Sequence, residues 1–103
     1  KNRIKANKFD FGNLKIDRDA YRIILNNNEI SLPRKEFELI YLLASNPDKV
    51  FKREEIMEKV WGGDVIVGDR TIDVHIRKLR EKIGDTFFKT IKGIGYKFVK
   101  PEK

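Results

Sequence analysis

The stretch DRTIDVHIRKLREKI, residues 69–83, leaves the chain little choice of local structure. Ile72, Ile76, Leu79 and Ile83 recur at i, i+4, i+7 and i+11, a stripe of helical period that has to be seated on a core. Asp69 stands just before the stripe, where a short carboxylate can accept hydrogen bonds from the first free backbone N–H groups. Gly84 follows the last apolar position, and glycine readily takes the backbone conformation that stops a helix. Opposite the stripe lie Arg70, Val74, Arg77 and Lys78, with Thr71 and Glu81 alongside. Three cations and one exposed β-branched side chain on an anchored helix form a surface suited to an anionic partner. The alternative is a merely solvated face, since Asp73 to Arg77 has the spacing of an intrahelical ion pair.

The distribution of charge favours the first reading. The formal net charge is +7, but residues 1–69 hold 13 Lys/Arg against 12 Asp/Glu, whereas residues 70–103 hold 10 against 4. A cationic field concentrated at one end draws polyanions there. A membrane-surface helix would need a broad aromatic or leucine-rich face, and this one offers Val74 alone. Nucleic acid is the better match, and no membrane partner is expected. At 103 residues the chain is one domain with a single modest core. It opens on Lys1 rather than methionine and is expected to be a piece of a longer protein. No apolar run approaches the ~18 residues of a membrane span. The absence of cysteine fits a reducing compartment, and a cytoplasmic location is expected.

Residues 1–8 are basic and aperiodic and read as a linker. Phe9, Phe11, Leu14 and Ile16 alternate around Gly12-Asn13; Tyr21–Leu25 is β-prone; Asn26-Asn27-Asn28 turns into Ile30–Leu32. Short strands between turn signals predict a small antiparallel sheet. Pro33 suits a first helical position. A helix is predicted over Arg34–Ser45, with Phe37, Ile40, Tyr41, Leu43 and Ala44 inward and Asn46-Pro47 as its stop. A second helix is predicted over Arg53–Val60, burying Ile56, Met57, Val60 and Trp61, with Val50-Phe51 leading in and Gly62-Gly63 ending it. After the third helix, Phe87–Lys92 and Tyr96–Lys100 flank Gly93-Ile94-Gly95 as a hairpin with a basic tip. The predicted class is α+β: an N-terminal antiparallel sheet, three helices, then a β-hairpin wing. That order is the winged helix-turn-helix, whose third helix, here about 22 Å long, suits a major groove ~12 Å wide.

Four motifs in this order, LPRKEFELIYLL (32–43), VFKREEIMEKVWG (50–62), DRTIDVHIRKLREKI (69–83) and TIKGIGYKFV (90–99), resemble the C-terminal DNA-binding domain of OmpR/PhoB-family two-component response regulators. The resemblance implies a phosphorelay regulator with a receiver domain upstream, residues 1–8 as the linker, 9–100 as the winged-helix domain and 101–103 as a tail. It implies sequence-specific binding to double-stranded DNA as a dimer on tandem half-sites, with the isolated domain a monomer. Carried over by position, base contacts fall on Thr71, Asp73, Val74 and Lys78, with Lys92 of the wing at the minor groove. Phosphate contacts fall on Trp61, Arg70, His75, Arg77, Arg80 and Tyr96. The loop Asp64, Val65, Ile66 and Val67 matches the segment that contacts RNA polymerase in the family; its alternative is simple packing on the domain.

The chemistry is compatible: lysine can donate to guanine O6 or N7, and valine methyls can pack on a thymine methyl. Lys78 and Lys92 stand where the family prefers arginine, which softens base discrimination because lysine lacks the planar fork. Pro33 and Lys52 replace hydroxyl residues at helix starts, removing two side-chain caps. Gly63-x4-Gly68 has the glycine spacing of a phosphate-binding loop, but Asp69-Arg70-Thr71 follows where lysine is required. His75 is the sole histidine, so no metal site, cofactor or enzymatic centre is expected. Two other classes stay open: a protein-interaction module working through Val65–Val67, and RNA or non-specific nucleic-acid binding, for which Tyr96 is the one ambiguous aromatic.

Overall fold

The computed structural model describes residues 8–62 and 71–100, and the backbone alone of Asp69 and Arg70. Four short strands, β1 (Lys8–Asp10), β2 (Leu14–Asp17), β3 (Arg22–Leu25) and β4 (Asn28–Ile30), form an antiparallel sheet in sequential order. Alternation puts Leu14, Ile16 and Ile23 on the inner face, all but completely buried. Asn26 and Asn27 both adopt positive φ, 52° and 69°, the conformation a two-residue hairpin needs to match the strand twist. The strand predicted at Ile30–Leu32 therefore starts two residues earlier, because the turn uses two asparagines and not three. Lys8, expected in the linker, is already paired with Asp17 in β1.

Helix α1 (Arg34–Ala44) meets the N-terminal region through the ring pairs Phe9–Tyr41 and Tyr21–Phe37 and carries much of the core. Phe37, Leu39, Ile40, Leu43 and Ala44 are buried, and Tyr41 is half-buried with its ring stacked on Phe9 at 5.0 Å between centroids. Pro33 makes no side-chain cap, as its structure requires. Glu36, in the first turn, is the one buried charged residue among those described, and Lys82 meets it at 2.9 Å.

The second helix begins as α2 (Arg53–Ile56) and continues as a π-helical turn, Met57–Trp61. Gly62 closes it at φ 86°, its N–H donating to Met57 at 3.1 Å and Glu58 at 3.0 Å. The wider turn was not visible in a helical pattern read at 3.6 residues. It brings Val60 and Trp61 into the core, and Lys35 donates to the Val60 carbonyl at 2.8 Å. Met57, expected inward, is only half-buried.

Helix α3 (Asp69–Ile83) buries the predicted stripe completely: Ile72, Ile76, Leu79 and Ile83 are at most 5% exposed. Asp69 is the first helical residue and not the position before it. Gly84, φ 123°, ends the helix with its N–H on the Arg80 carbonyl, 2.9 Å. A short 3-10 turn, Asp85–Phe87, then leads into β6 (Phe88–Ile91) and β7 (Gly95–Phe98). The hairpin is thus shorter at both outer ends than the sequence predicts, since Phe87 turns into the core.

A third strand, β5 (Phe51–Lys52), completes the wing sheet in the order β5-β7-β6. From the sequence these residues are expected only as a lead into helix 2. Phe51 pairs with Tyr96 and Lys52 with Gly95. A Cβ on Gly95 would lie 1.9 Å from the Phe51 carbonyl oxygen, so only glycine allows β5 to approach this closely. Gly95 therefore belongs to strand β7, paired with Ile91 at the last rung before the turn, and not to the turn itself.

Candidate nucleic-acid interface

Burying the Ile72–Ile83 stripe turns the opposite side of α3 outward. Val74 is 37% exposed, and Arg77 and Lys78 are exposed beside it. Among the described residues neither cation has an ion-pair partner, and Asp73, one turn before Arg77, bridges to Arg53 at 2.9 Å. Lys82, on the inner margin, is held by Glu36 and contributes nothing to the free cationic face. Thr71 is half-buried, and its carbonyl oxygen lies 2.7 Å from His75 Nδ1. A carbonyl only accepts, so Nδ1 carries the hydrogen, and Nε2 of a neutral ring is left as an acceptor. The Trp61 ring meets His75 edge-on, centroids 5.1 Å apart, and this contact fixes the imidazole against the end of the π turn.

The wing stands beside this face. Its turn is closed by the Ile94 N–H on the Ile91 carbonyl, 2.9 Å, with Gly93 at φ 77° in the position that requires glycine. Lys92 and Ile94 project from the tip, Ile94 at 49% exposure. The wing tip and the outer side of α3 thus offer two cationic prominences.

Three expected contact residues have other employment in this structure. Tyr96 is 4% exposed, and its hydroxyl donates to Asp73 Oδ1. Burial first, then the hydrogen bond to Asp73, raise the Tyr96 pKa above its ordinary value, so the hydroxyl stays a donor at neutral pH. A phosphate contact from Tyr96 requires that bond to be exchanged, and a base contact from Asp73 requires an oxygen other than Oδ1. The ring is core, which removes it as an exposed base-stacking aromatic. Arg80 is half-buried: Nη2 donates to Thr90 Oγ1 at 3.0 Å and approaches the Phe88 carbonyl at 3.4 Å, while Nε is buried without a partner among the described residues. It braces α3 against β6. The side chain of Arg70 and the whole loop Asp64, Val65, Ile66 and Val67 lie outside the described residues.

Arg53 is the residue that sequence reading missed. Its guanidinium, on α2, meets Asp73 on α3 and lies over the Tyr96 ring on β7, 5.3 Å from Cζ to centroid. The hydrogen bond to Asp73 is the main reason its pKa is raised, and the guanidinium stays charged. These partners are 20 and 43 residues away, and no local spacing announces them.

A family model described as transcriptional regulatory protein, C terminal, matches residues 27–98, from the β3–β4 turn to the end of β7. The chain belongs to that family. It is 40% identical over 95 residues to the heme response regulator HssR of Staphylococcus epidermidis, covering 88% of this chain and 42% of HssR. It resembles the structure of DrrB, an OmpR/PhoB homolog from Thermotoga maritima, with TM-score 0.82 and 39% identity over 90% of this chain and 44% of DrrB. It is also similar to the Klebsiella pneumoniae RstA DNA-binding domain in complex with the RstA box: TM-score 0.81, 26% identity, 91% of this chain and 98% of that one. The chain therefore spans less than half the length of HssR. It is a transcriptional regulatory C-terminal domain of the OmpR/PhoB type with the winged helix-turn-helix fold, and its family is one of transcription regulators, not enzymes.

Proposed function

We infer that this domain binds double-stranded DNA sequence-specifically as the effector part of a phosphorelay response regulator. In this reading α3 enters the major groove and the β6–β7 wing lies at the minor groove. The observation that carries the proposal is the outer face of α3, where Val74, Arg77 and Lys78 stand exposed on a helix fixed by four buried aliphatics. Lys78 and Val74, with Thr71 at the helix's start, serve base edges in this reading and Arg77 serves phosphates. His75 can join Arg77 only as a doubly protonated ring whose Nε2 donates, since Nδ1 is held by the Thr71 carbonyl. Trp61 and Arg70 complete the proposed phosphate set. Lys92 serves the minor groove. The RstA domain, of the same fold, has been solved in complex with the RstA box, and this supports the assignment. Tandem half-sites, a receiver domain upstream and a polymerase contact through residues 64–67 belong to the same reading, as does a cytoplasmic setting. Among the described residues no helix is long and apolar enough to cross a membrane.

The test is in vitro selection from random duplex DNA, with the enriched pool titrated at two salt concentrations. Enrichment of a direct repeat with its halves about one helical turn apart, ~10–10.5 bp, supports the proposal. Binding that shows no sequence enrichment and disappears as salt rises reduces it to electrostatics alone.

A further inference from the structure

Arg53 sits where β5, α2, α3 and the wing converge. Its backbone N–H donates to the Ile94 carbonyl in the wing turn, 3.3 Å, while Nη1 donates to Asp73 Oδ1, 2.9 Å, on α3. Nη2 reaches toward the Tyr96 hydroxyl of β7 at 3.5 Å, and that hydroxyl itself donates to the same Asp73 oxygen. One residue is thus tied to both elements that face DNA.

We propose that Arg53 is a positioning residue, anchored on Asp73, that fixes the wing relative to α3 and so sets the span between major-groove and minor-groove contacts. The inference rests on the interface assigned above. A two-stranded wing is free to twist about its own length. Along its flank the β5 pairing covers only Phe51↔Tyr96 and Lys52↔Gly95. The Arg53–Asp73–Tyr96 cluster adds charge-assisted bonds nearer α3, and such bonds are shorter and stronger than neutral ones. Fixing the wing beforehand removes an ordering cost that binding would otherwise carry. The cluster also explains why a carboxylate is tolerated on a helix meant to approach phosphates: Arg53 neutralises it. Arginine suits the task because its planar fork reaches two partners at once, where lysine has a single point of charge.

The test is a double-mutant cycle on the 103-residue chain with the selected duplex, read by fluorescence anisotropy at fixed salt where circular dichroism shows every variant folded. Lys92→Ala is expected to weaken binding roughly 5- to 30-fold in the otherwise intact protein. In an Asp73→Asn or Arg53→Met background the same substitution is expected to cost less than about 2-fold, because a wandering wing has already lost the contact. Arg53→Lys should recover part of the coupling. Tyr96→Phe keeps the ring buried and removes only the hydroxyl, so it carries the test if another variant does not fold. An equal Lys92→Ala effect in all backgrounds overturns the positioning role while leaving the wing contact intact. No effect of Lys92→Ala in the intact protein overturns the wing assignment and the positioning role with it. A salt slope reduced by about one in Arg53→Met, with the Lys92→Ala effect preserved, makes Arg53 a phosphate contact and likewise overturns the proposal.

Discussion

Gly95→Ala places a methyl group 1.9 Å from the Phe51 carbonyl oxygen, 2.9 Å from its carbon and 3.0 Å from Lys52 Cα. All three obstacles are backbone, and no rotamer change relieves them. Even a close C···O approach is about 3.3 Å, so β5 must recede from β7 by roughly 1.4 Å. That displacement carries its hydrogen bonds beyond useful range. The pairings Phe51↔Tyr96 and Lys52↔Gly95 are lost, and the Arg53 N–H bond to Ile94 is pulled with them. At a net 0.5–1.5 kcal/mol for each bond, with Phe51 drawn partly out of the core, the destabilisation is about 2–4 kcal/mol. For a domain of this size 1 kcal/mol moves the midpoint by ~4–8 °C, giving a fall of about 8–32 °C. Thermal unfolding followed by circular dichroism measures it directly. A midpoint within about 3 °C of the parent chain refutes the claim that close β5–β7 packing demands glycine here.

Other consequences are equally specific. Lys82→Met leaves the Glu36 carboxylate buried without its cation and should destabilise by about 1–3 kcal/mol in urea unfolding; a change under 0.5 kcal/mol makes that pair incidental. Ile76→Ala, at the centre of the α3 seat, should cost about 2–5 kcal/mol. It should weaken DNA binding only in proportion to the unfolded fraction, which binding assays below the midpoint can check. Tyrosinate absorbance in the parent chain minus that of Tyr96→Phe should titrate above the ordinary value of ~10, the folded state holding this proton more tightly. Tyr96's contribution to stability is then complete below that pH and lost as pH rises through the folded value; a difference curve centred at or below the ordinary value contradicts its burial. Arg77→Ala should lower the slope of log affinity against log salt by about 0.9 while weakening all sequences alike.

Where burial and backbone period coincide, the sequence declares the structure. Ile72, Ile76, Leu79 and Ile83 are legible because one periodic stripe specifies a helix, its buried side and therefore its outer side; Val74, Arg77 and Lys78 follow by exclusion. The N-terminal strands are legible from alternation, as at Leu14 and Ile16. Contacts between distant segments leave no such trace. Strand β5 is two residues long, too short to show a period, and it exists because Gly95, 43 residues from Lys52, lets the chains meet. Glu36 reads as an ordinary first-turn acid until Lys82 is found above it. The π turn at Met57–Trp61 differs from an α-helix by a single bond register. Asp73 and Tyr96 carry side chains that suit DNA, but the fold brings them to each other and to Arg53. In the interface the free cations could be read in advance; the residues that hold the frame could not.

The claim at the centre of this account is that the outer face of α3 reads bases. Repeating the in vitro selection with Lys78→Ala tests it most directly. The account predicts a site matching the parent's except at one position, where a guanine preference relaxes by a factor corresponding to about 1–3 kcal/mol. An unchanged preference at every position, with affinity lowered uniformly, would make Lys78 a phosphate contact and contradict the claim.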